Sequence, residues 1–226
     1  MGCDIHIAIQ RQEPDGTWRE LPWQHVWQFE GAAPAVKGVP VAPDCFRGRN
    51  YDLFAILANV RNGRGFAGIE TGSGWPSIAP DRGFPDGFDP DKTLPAANYP
   101  ERGNRYMGDH SFTWVSLDEL KAFPWDATEA CQYGVVTAEE YEQLTVDHAR
   151  PHSYCGAVSG AGIRTYDPDT YRLAKSKGAL AAKPYVRMGW PETAREATGD
   201  WAGEVIPWLD TLAEGKPLRL VLGFDS

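Results

Sequence analysis

Cys3-Asp4-Ile5-His6-Ile7-Ala8-Ile9-Gln10-Arg11, residues 3–11, places Cys3, Ile5, Ile7 and Ile9 on one face and Asp4, His6, Ala8 and Gln10 on the other. That alternation is the period of a half-buried strand. Glu13-Pro14-Asp15-Gly16 then gives a turn signal, and Thr17-Trp18-Arg19-Glu20-Leu21 returns as a second strand, so the stretch predicts a β-hairpin. Much later, Leu218, Leu220, Leu222 and Phe224 alternate with Arg219, Val221, Gly223 and Asp225 and predict another strand. Pairing of this strand with residues 3–11 would close one sheet and make residues 1–226 a single α+β domain. The expected architecture is an antiparallel or mixed sheet joining N- and C-terminal strands, with several short helices and long Gly/Pro-rich loops.

Between these strands, helices are signalled by their caps. Asn50 precedes Tyr51-Asp52-Leu53-Phe54-Ala55-Ile56-Leu57-Ala58-Asn59-Val60, whose Leu53, Ile56, Leu57 and Val60 form an apolar stripe, with Gly63 expected at C′. Ser116 with Glu119 and Thr137 with Glu140 are capping boxes, each of which starts a short helix. Another helix is expected from near Asp169 to Lys177, stopped by Gly178, and a further one within 191–214, kinked or restarted at Pro207. Residues 63–108, dense in Gly, Pro and Asp, show neither period and read as a long irregular loop. Trp23, His25 and Trp27 alternate as on a strand, and Trp190, Trp201 and Trp208 read as packing anchors.

Composition narrows the function classes. A chain of 226 residues buries roughly 70% of its unfolded surface without needing staples. The net charge of −9 argues against binding that tracks a nucleic-acid backbone by bulk electrostatics. No apolar run of about 18 residues occurs and the start lacks signal-peptide character, so the expected location is the cytoplasm, with no membrane partner. His6 stands where a myristoylation signal has Ser or Thr. The four cysteines, at 3, 45, 131 and 155, form no C-x-x-C pair and read as free thiols.

Four groups of residues could carry chemistry. Asp4 and His6, two apart on a strand, lie side by side and suit a divalent metal or an orienter–base pair; alternatively they form a polar sheet face. Gly108-Asp109-His110-Ser111 combines a flexible Gly with an acid and an imidazole, as in a loop that polarises a water, or forms a plain turn. Together these nominate Asp4, His6, Asp109 and His110 as catalytic, and Asp4, His6 and His110 as ligands of zinc or manganese. An alternative zinc set is His148, His152 and Cys155, with Cys131 as a fourth ligand if the fold returns it there, although Pro151 breaks a common helix face. Arg47, Arg49, Arg61 and Arg64 flank the Asn50 helix and suit phosphate capture by bidentate forks, or pair with the chain's acids, which outnumber its bases 31 to 22. P-loop, dinucleotide, G-x-S-x-G and H-E-x-x-H motifs are all missing from the sequence.

Asp-x-His also opens calcineurin-like metallophosphoesterases, but there it ends an apolar strand, and this chain has no Gly-Asn-His-Asp/Glu segment. A fuller resemblance is to a family of bacterial and bacteriophage proteins known by motifs rather than by an activity. Its motifs are a (G)CDIH opening, a central [RN]-x-Y-D-L-F-A-x-L-A-x-V-R, a G-D-H-S stretch and an F-D-[NS] ending, here at Gly2 to His6, Arg49 to Arg61, Gly108 to Ser111 and Phe224 to Ser226. The resemblance implies a phage or accessory-genome origin and no mechanism. The leading expectation is a phage-type cytoplasmic protein that binds, and in one version hydrolyses, a nucleotide or nucleotide-derived signal. The alternative is a non-catalytic protein whose acidic, Trp-rich surface antagonises a host defence protein, or a virion component.

Overall fold

The computed structural model describes residues 2–26, 35–90, 106–144 and 150–225. Its strands are β1 (Asp4–Gln12), β2 (Trp18–Leu21), β3 (His110–Ser116), β4 (Glu129–Thr137), β5 (Ile163–Tyr166), β6 (Lys183–Thr193) and β7 (Leu218–Asp225). Its helices are α1 (Tyr51–Ala58), α2 (Leu117–Ala122), α3 (Ala138–Leu144), α4 (Pro168–Ser176), α5 (Ala194–Ala197) and α6 (Trp201–Ala213). The fold is α+β, with an antiparallel sheet ordered β2-β1-β7-β3 and a mixed sheet ordered β4-β6-β5. Among the described residues no helix is long and apolar enough to cross a membrane.

The expected hairpin and the pairing of residues 3–11 with the late strand both form: Asp4 lies opposite Asp225, Ile5 opposite Phe224 and Arg11 opposite Leu218. Ile5, Ile9, Leu220, Leu222 and Phe224 share one face, which buries against α1 and α6 through Phe54, Ile56, Leu57, Val205 and Leu209. The opposite face is also covered: Ala8, Val221, Phe88 and Met107 pack together under Phe84, Phe112 and Trp114. That double burial explains why β7 is apolar almost throughout. Arg219 is the buried exception. Only 6% exposed, it donates to Gln10 Oε1 (2.9 Å) and stacks over Trp18, whose ring centre is 3.9 Å from the guanidinium carbon, so an indole face replaces solvent around the charge.

Several expected helix ends are found and others move. Asn50 accepts from the Leu53 amide and starts α1, but the helix stops at Asn59, itself left-handed with φ of 60°, rather than at Gly63. An Asn tolerates that conformation, so the cap falls earlier than the nearest Gly. The Ser116/Glu119 box forms in full. At Thr137 only half forms: Thr137 Oγ1 accepts from Glu140 N, while the Glu140 carboxylate is taken by the His152 amide at 2.8 Å. The stretch 191–193 is the end of β6, and the helix break falls at Gly199–Asp200, after which α6 runs unbroken through Pro207. Pro207 and Gly203, one turn earlier, both face solvent, where a freed carbonyl can be hydrated. The Trp23–Trp27 strand is reduced to an isolated bridge between Gln24 and Val41, and Trp27 lies outside the described residues. Of the expected loop, residues 63–90 are irregular apart from a 3₁₀ turn at Phe66–Gly68, and 91–105 lie outside the described residues.

Residues 106–109 cross the end of β7. The Asp109 amide donates to Phe224 O (2.7 Å), and a Cβ at Gly108 (φ +85°) would overlap the Phe224 backbone, while one at Gly223 would overlap Met107 O. Gly223→Ala is therefore expected to destabilise the fold by about 2 kcal/mol or more, read from urea unfolding midpoints; an unchanged midpoint would show that the crossing is not tight.

Burial works to raise the Glu119 carboxyl, but the Arg82 guanidinium (2.7 Å) and the Ser116 amide and hydroxyl overcome it and hold the group near 2, below the ordinary 4.5. Because the folded value is depressed, the stabilisation is present above about pH 4.5 and is lost as pH falls toward 2. Glu119→Gln should flatten the acid limb of the stability–pH curve in that window, measured by thermal melts at stepped pH.

Candidate functional site

A polar cavity of about 320 Å³ opens at the start of α1. Arg49, Asn50, Tyr51 and Asp52 enter it from α1 and the residues just before, Arg61 from the turn after α1, and Thr71 from the irregular segment. Gln132 and Tyr133 come from β4, Glu192 from β6, and Ala197 from α5; Arg150, Tyr154 and Gly156 complete the wall.

Hydrogen bonds pin these walls together. Asn50, besides capping α1, donates through Nδ2 to Ala197 O (2.9 Å) and so joins α1 to α5. Asp52 Oδ1 accepts from Trp75 Nε1 (2.8 Å) and Gln132 Nε2 (2.9 Å), tying α1 to the irregular segment and to β4. The Tyr133 amide donates to Thr71 O (2.8 Å), and the Ser73 amide to Cys131 O (2.8 Å), so residues 71–73 run along β4. Gly72 makes that approach feasible, because a Cβ there would meet Cys131 O and Gln132 Oε1, each at 2.9 Å.

Glu192 is the most confined charge in the cavity. Its side chain is 4% exposed, and Oε1 is ion-paired with Arg150 Nη1 at 2.6 Å, out of hydrogen-bond alignment. Trp190 Nε1, two residues earlier on the same face of β6, is also near and also unaligned. Burial pushes the Glu192 carboxyl up, opposed chiefly by Arg150. Burial likewise raises the Cys3 thiol, against the pull of Arg61. Tyr51, whose hydroxyl accepts from the Cys3 amide (3.3 Å), lies under the Arg61 guanidinium at 5.7 Å.

Beside the cavity, Asp4 and His6 do share one face of β1, and Asp225 joins them. Asp225 Oδ2 is 3.2 Å from His6 Nε2, and Oδ1 accepts from the Asp4 amide (3.0 Å). Arg49 reaches back to hold Asp4 through Nε (2.6 Å) and Nη2 (2.8 Å), a bidentate fork in the open that contributes little stability. Gly2 leaves room for this guanidinium. Tyr106 packs edge-on to His6 (4.9 Å), its hydroxyl raised by burial and then by Asp109 and Asp225.

The expected sites are therefore redistributed. His110 lies opposite Phe224, whereas His6 lies opposite Gly223, one residue out of step and so on the other face. The His110 ring stacks on Phe224 (6.3 Å), and Asp109 is 3.9 Å from it. Among the described residues no three His, Cys, Asp or Glu side chains are placed to hold a metal ion. Of the zinc series, His148 lies outside the described residues; His152 faces Glu140, and exposed Cys155 pairs through its backbone with Val135. Cys131 points to Gly189, while its neighbour Gln132 lines the cavity. Of the arginines, Arg49 and Arg61 line the cavity, Arg64 does not, and the Arg47 side chain lies outside the described residues.

Asp52, Gln132, Arg150, Tyr154, Glu192 and Asp225 are missed by motif reading. One local signal was legible: Thr193-x-x-Glu196 is a full capping box, which ends β6 just after Glu192 and sets the acid at a strand–helix corner. The four segments carrying the family resemblance meet in space: Cys3 with Tyr51, Asp4 with Arg49, and the Gly108–Asp109 crossing with Phe224.

Fold and cavity together define an α+β protein with an arginine-lined polar cavity against its mixed sheet. No family model, curated protein or solved structure matches the chain.

Because the folded value of Glu192 is raised, folding favours its protonated form, and the ionised carboxyl weakens the fold as pH rises above 4.5. Glu192→Gln should therefore melt no lower than the parent at pH 7, and the difference in Tm, variant minus parent, should grow as pH rises above 4.5. A variant that melts well below the parent at pH 7 would show the Arg150 contact to be net stabilising.

Proposed function

We propose that this chain binds a nucleotide or nucleotide-derived molecule in the cavity at the start of α1. The observation that carries the reading is the convergence of three guanidinium groups, from Arg49, Arg61 and Arg150, with three tyrosines and one buried carboxyl around a space of about 320 Å³. That volume lies within the range of small-ligand sites. Guanidinium forks suit phosphate oxygens, and tyrosine rings offer apolar faces to a base. Arg61 takes the phosphate in this reading, while Arg49 holds Asp4 and Arg150 lies 2.6 Å from Glu192. The resemblance to bacteriophage proteins fits a ligand drawn from host nucleotides or nucleotide signals in the cytoplasm.

Asp225 lies 3.2 Å from His6, an acid–imidazole pairing of the kind that activates water, but neither lines the cavity, so the reading is one of binding. Asp225, rather than Asp109 or His110, is the partner of His6, because His110 sits on the other face of the sheet. Docking of a host protein on a Trp-rich surface is less well supported: the eight indoles among the described residues are all buried or half-buried.

Isothermal titration with nucleoside monophosphates tests the reading. Arg61→Ala should weaken binding by about tenfold or more, the usual loss for a charge-assisted hydrogen bond. Equal affinity in parent and variant would remove Arg61 from the site.

A further inference from the structure

The geometry points to a base with two adjacent N–H donors, that is a guanine-type base, lodged against Glu192 in the cavity; this inference rests on the nucleotide reading above. Glu192 is more than nine-tenths buried, lines the cavity, and its Oε1 has no aligned hydrogen-bond donor among the described residues. A buried carboxyl oxygen without a donor is costly, and the cost falls when a ligand supplies one. The nearest protein group, Arg150, is 53% exposed and lies 2.6 Å from Oε1 out of hydrogen-bond alignment, so a ligand donor at this oxygen displaces it.

The other polar groups of the wall narrow the choice. Asp52 Oδ1 already has two donors, and the Gln132 amide that supplies one of them is thereby committed. Glu192 is the most deeply buried carboxyl offered to a ligand edge. A carboxylate offers two parallel acceptors, which match paired N–H groups in one plane. Guanine presents such a pair, N1–H and N2–H; adenine presents an acceptor at N1 beside its single amino group, and hypoxanthine keeps N1–H alone. A cationic guanidinium carries the same fork, but three arginines against two acids in the wall disfavour a positive ligand. A neutral donor edge with an anionic tail satisfies both ends of the cavity, the base at Glu192 and the phosphate at Arg61. Tyr154, 46% exposed and set edge-on to Trp190 at 4.7 Å, gives the base an aromatic surface at the mouth.

The experiment is isothermal titration of GMP, IMP and AMP into the parent, Glu192→Gln and Arg61→Ala, with circular dichroism and melting as checks on folding. GMP should bind the parent about tenfold to a hundredfold more tightly than AMP, as expected for a bidentate pair, with IMP between them. Glu192→Gln, whose amide replaces one acceptor with a donor, should bring the GMP to AMP ratio near unity. Arg61→Ala should weaken all three ligands and keep their order. AMP binding the parent as tightly as GMP, or the Gln variant keeping the full preference, would overturn the guanine inference and leave the phosphate site standing. Failure of all three to bind the folded parent would overturn both.

Discussion

The antiparallel pairing of β1 with β7 is the constraint on which the other features depend. It joins residues 4–11 to 218–225 and so places in one sheet two segments separated by nearly the whole chain. Closing so long a loop carries an entropic cost that grows only slowly with its length, and burial on both faces of β7 offsets it. One face carries the helical core, the other the aromatic cover from residues 84–88 and 107–114. The backbone crossing at Gly108 and Gly223 locks the end of this pairing, and the crossing in turn brings Asp109 and Tyr106 beside Asp225.

The polar groups at that end follow from the register. Because Asp4 lies opposite Asp225, and His6 two residues on, three titratable side chains project from one face. The Arg49 fork on Asp4 then fixes the residues just before α1, and α1 carries Tyr51 and Asp52 into the cavity. The sheet end and the cavity are thus linked through α1: a hydrogen bond from Asp52 reaches β4 of the second sheet, and one from Asn50 reaches α5. A wall assembled from so many elements is rigid only if each tie holds, which is why a twice-bonded carboxylate at Asp52 matters more to the shape of the site than the exposed ion pair at Arg49.

Glu192 gives the site its chemical bias. Several ion pairs among the described residues, such as Lys121 with Asp210 or Arg172 with Asp169, are exposed and solvated. A carboxyl held inside the protein by a partly exposed arginine is instead sensitive to whatever enters the cavity, since desolvation magnifies each polar contact it gains or loses.

Local sequence was a good guide wherever structure is decided locally. The alternation of Cys3 to Arg11 and of Leu218 to Asp225, the Asn50 cap and the Ser116/Glu119 box specify strands and helix starts, because side-chain period and capping act within a few residues. Even there, tertiary contact intervened: His152 captured the Glu140 carboxylate and left the Thr137 box half made. The site was less legible. Asp4, His6, Arg49 and Arg61 were visible as chemistry-bearing types near motifs, but whether His6 meets His110 or Asp225 depends on a register offset of one residue between β1, β7 and β3, which no single segment encodes. Glu192 and Arg150 stand 42 positions apart, and only the folding of β6 against β4 and α1 sets them face to face. The sequence by itself determined β1, β2, β7, several helix starts and the α+β class, since those rest on short-range periodicity and capping, whereas β3 and the strands of the mixed sheet carried no such signal. The tertiary structure alone decided which acids, arginines and tyrosines share one cavity, because that depends on long-range strand pairing and on the burial it imposes.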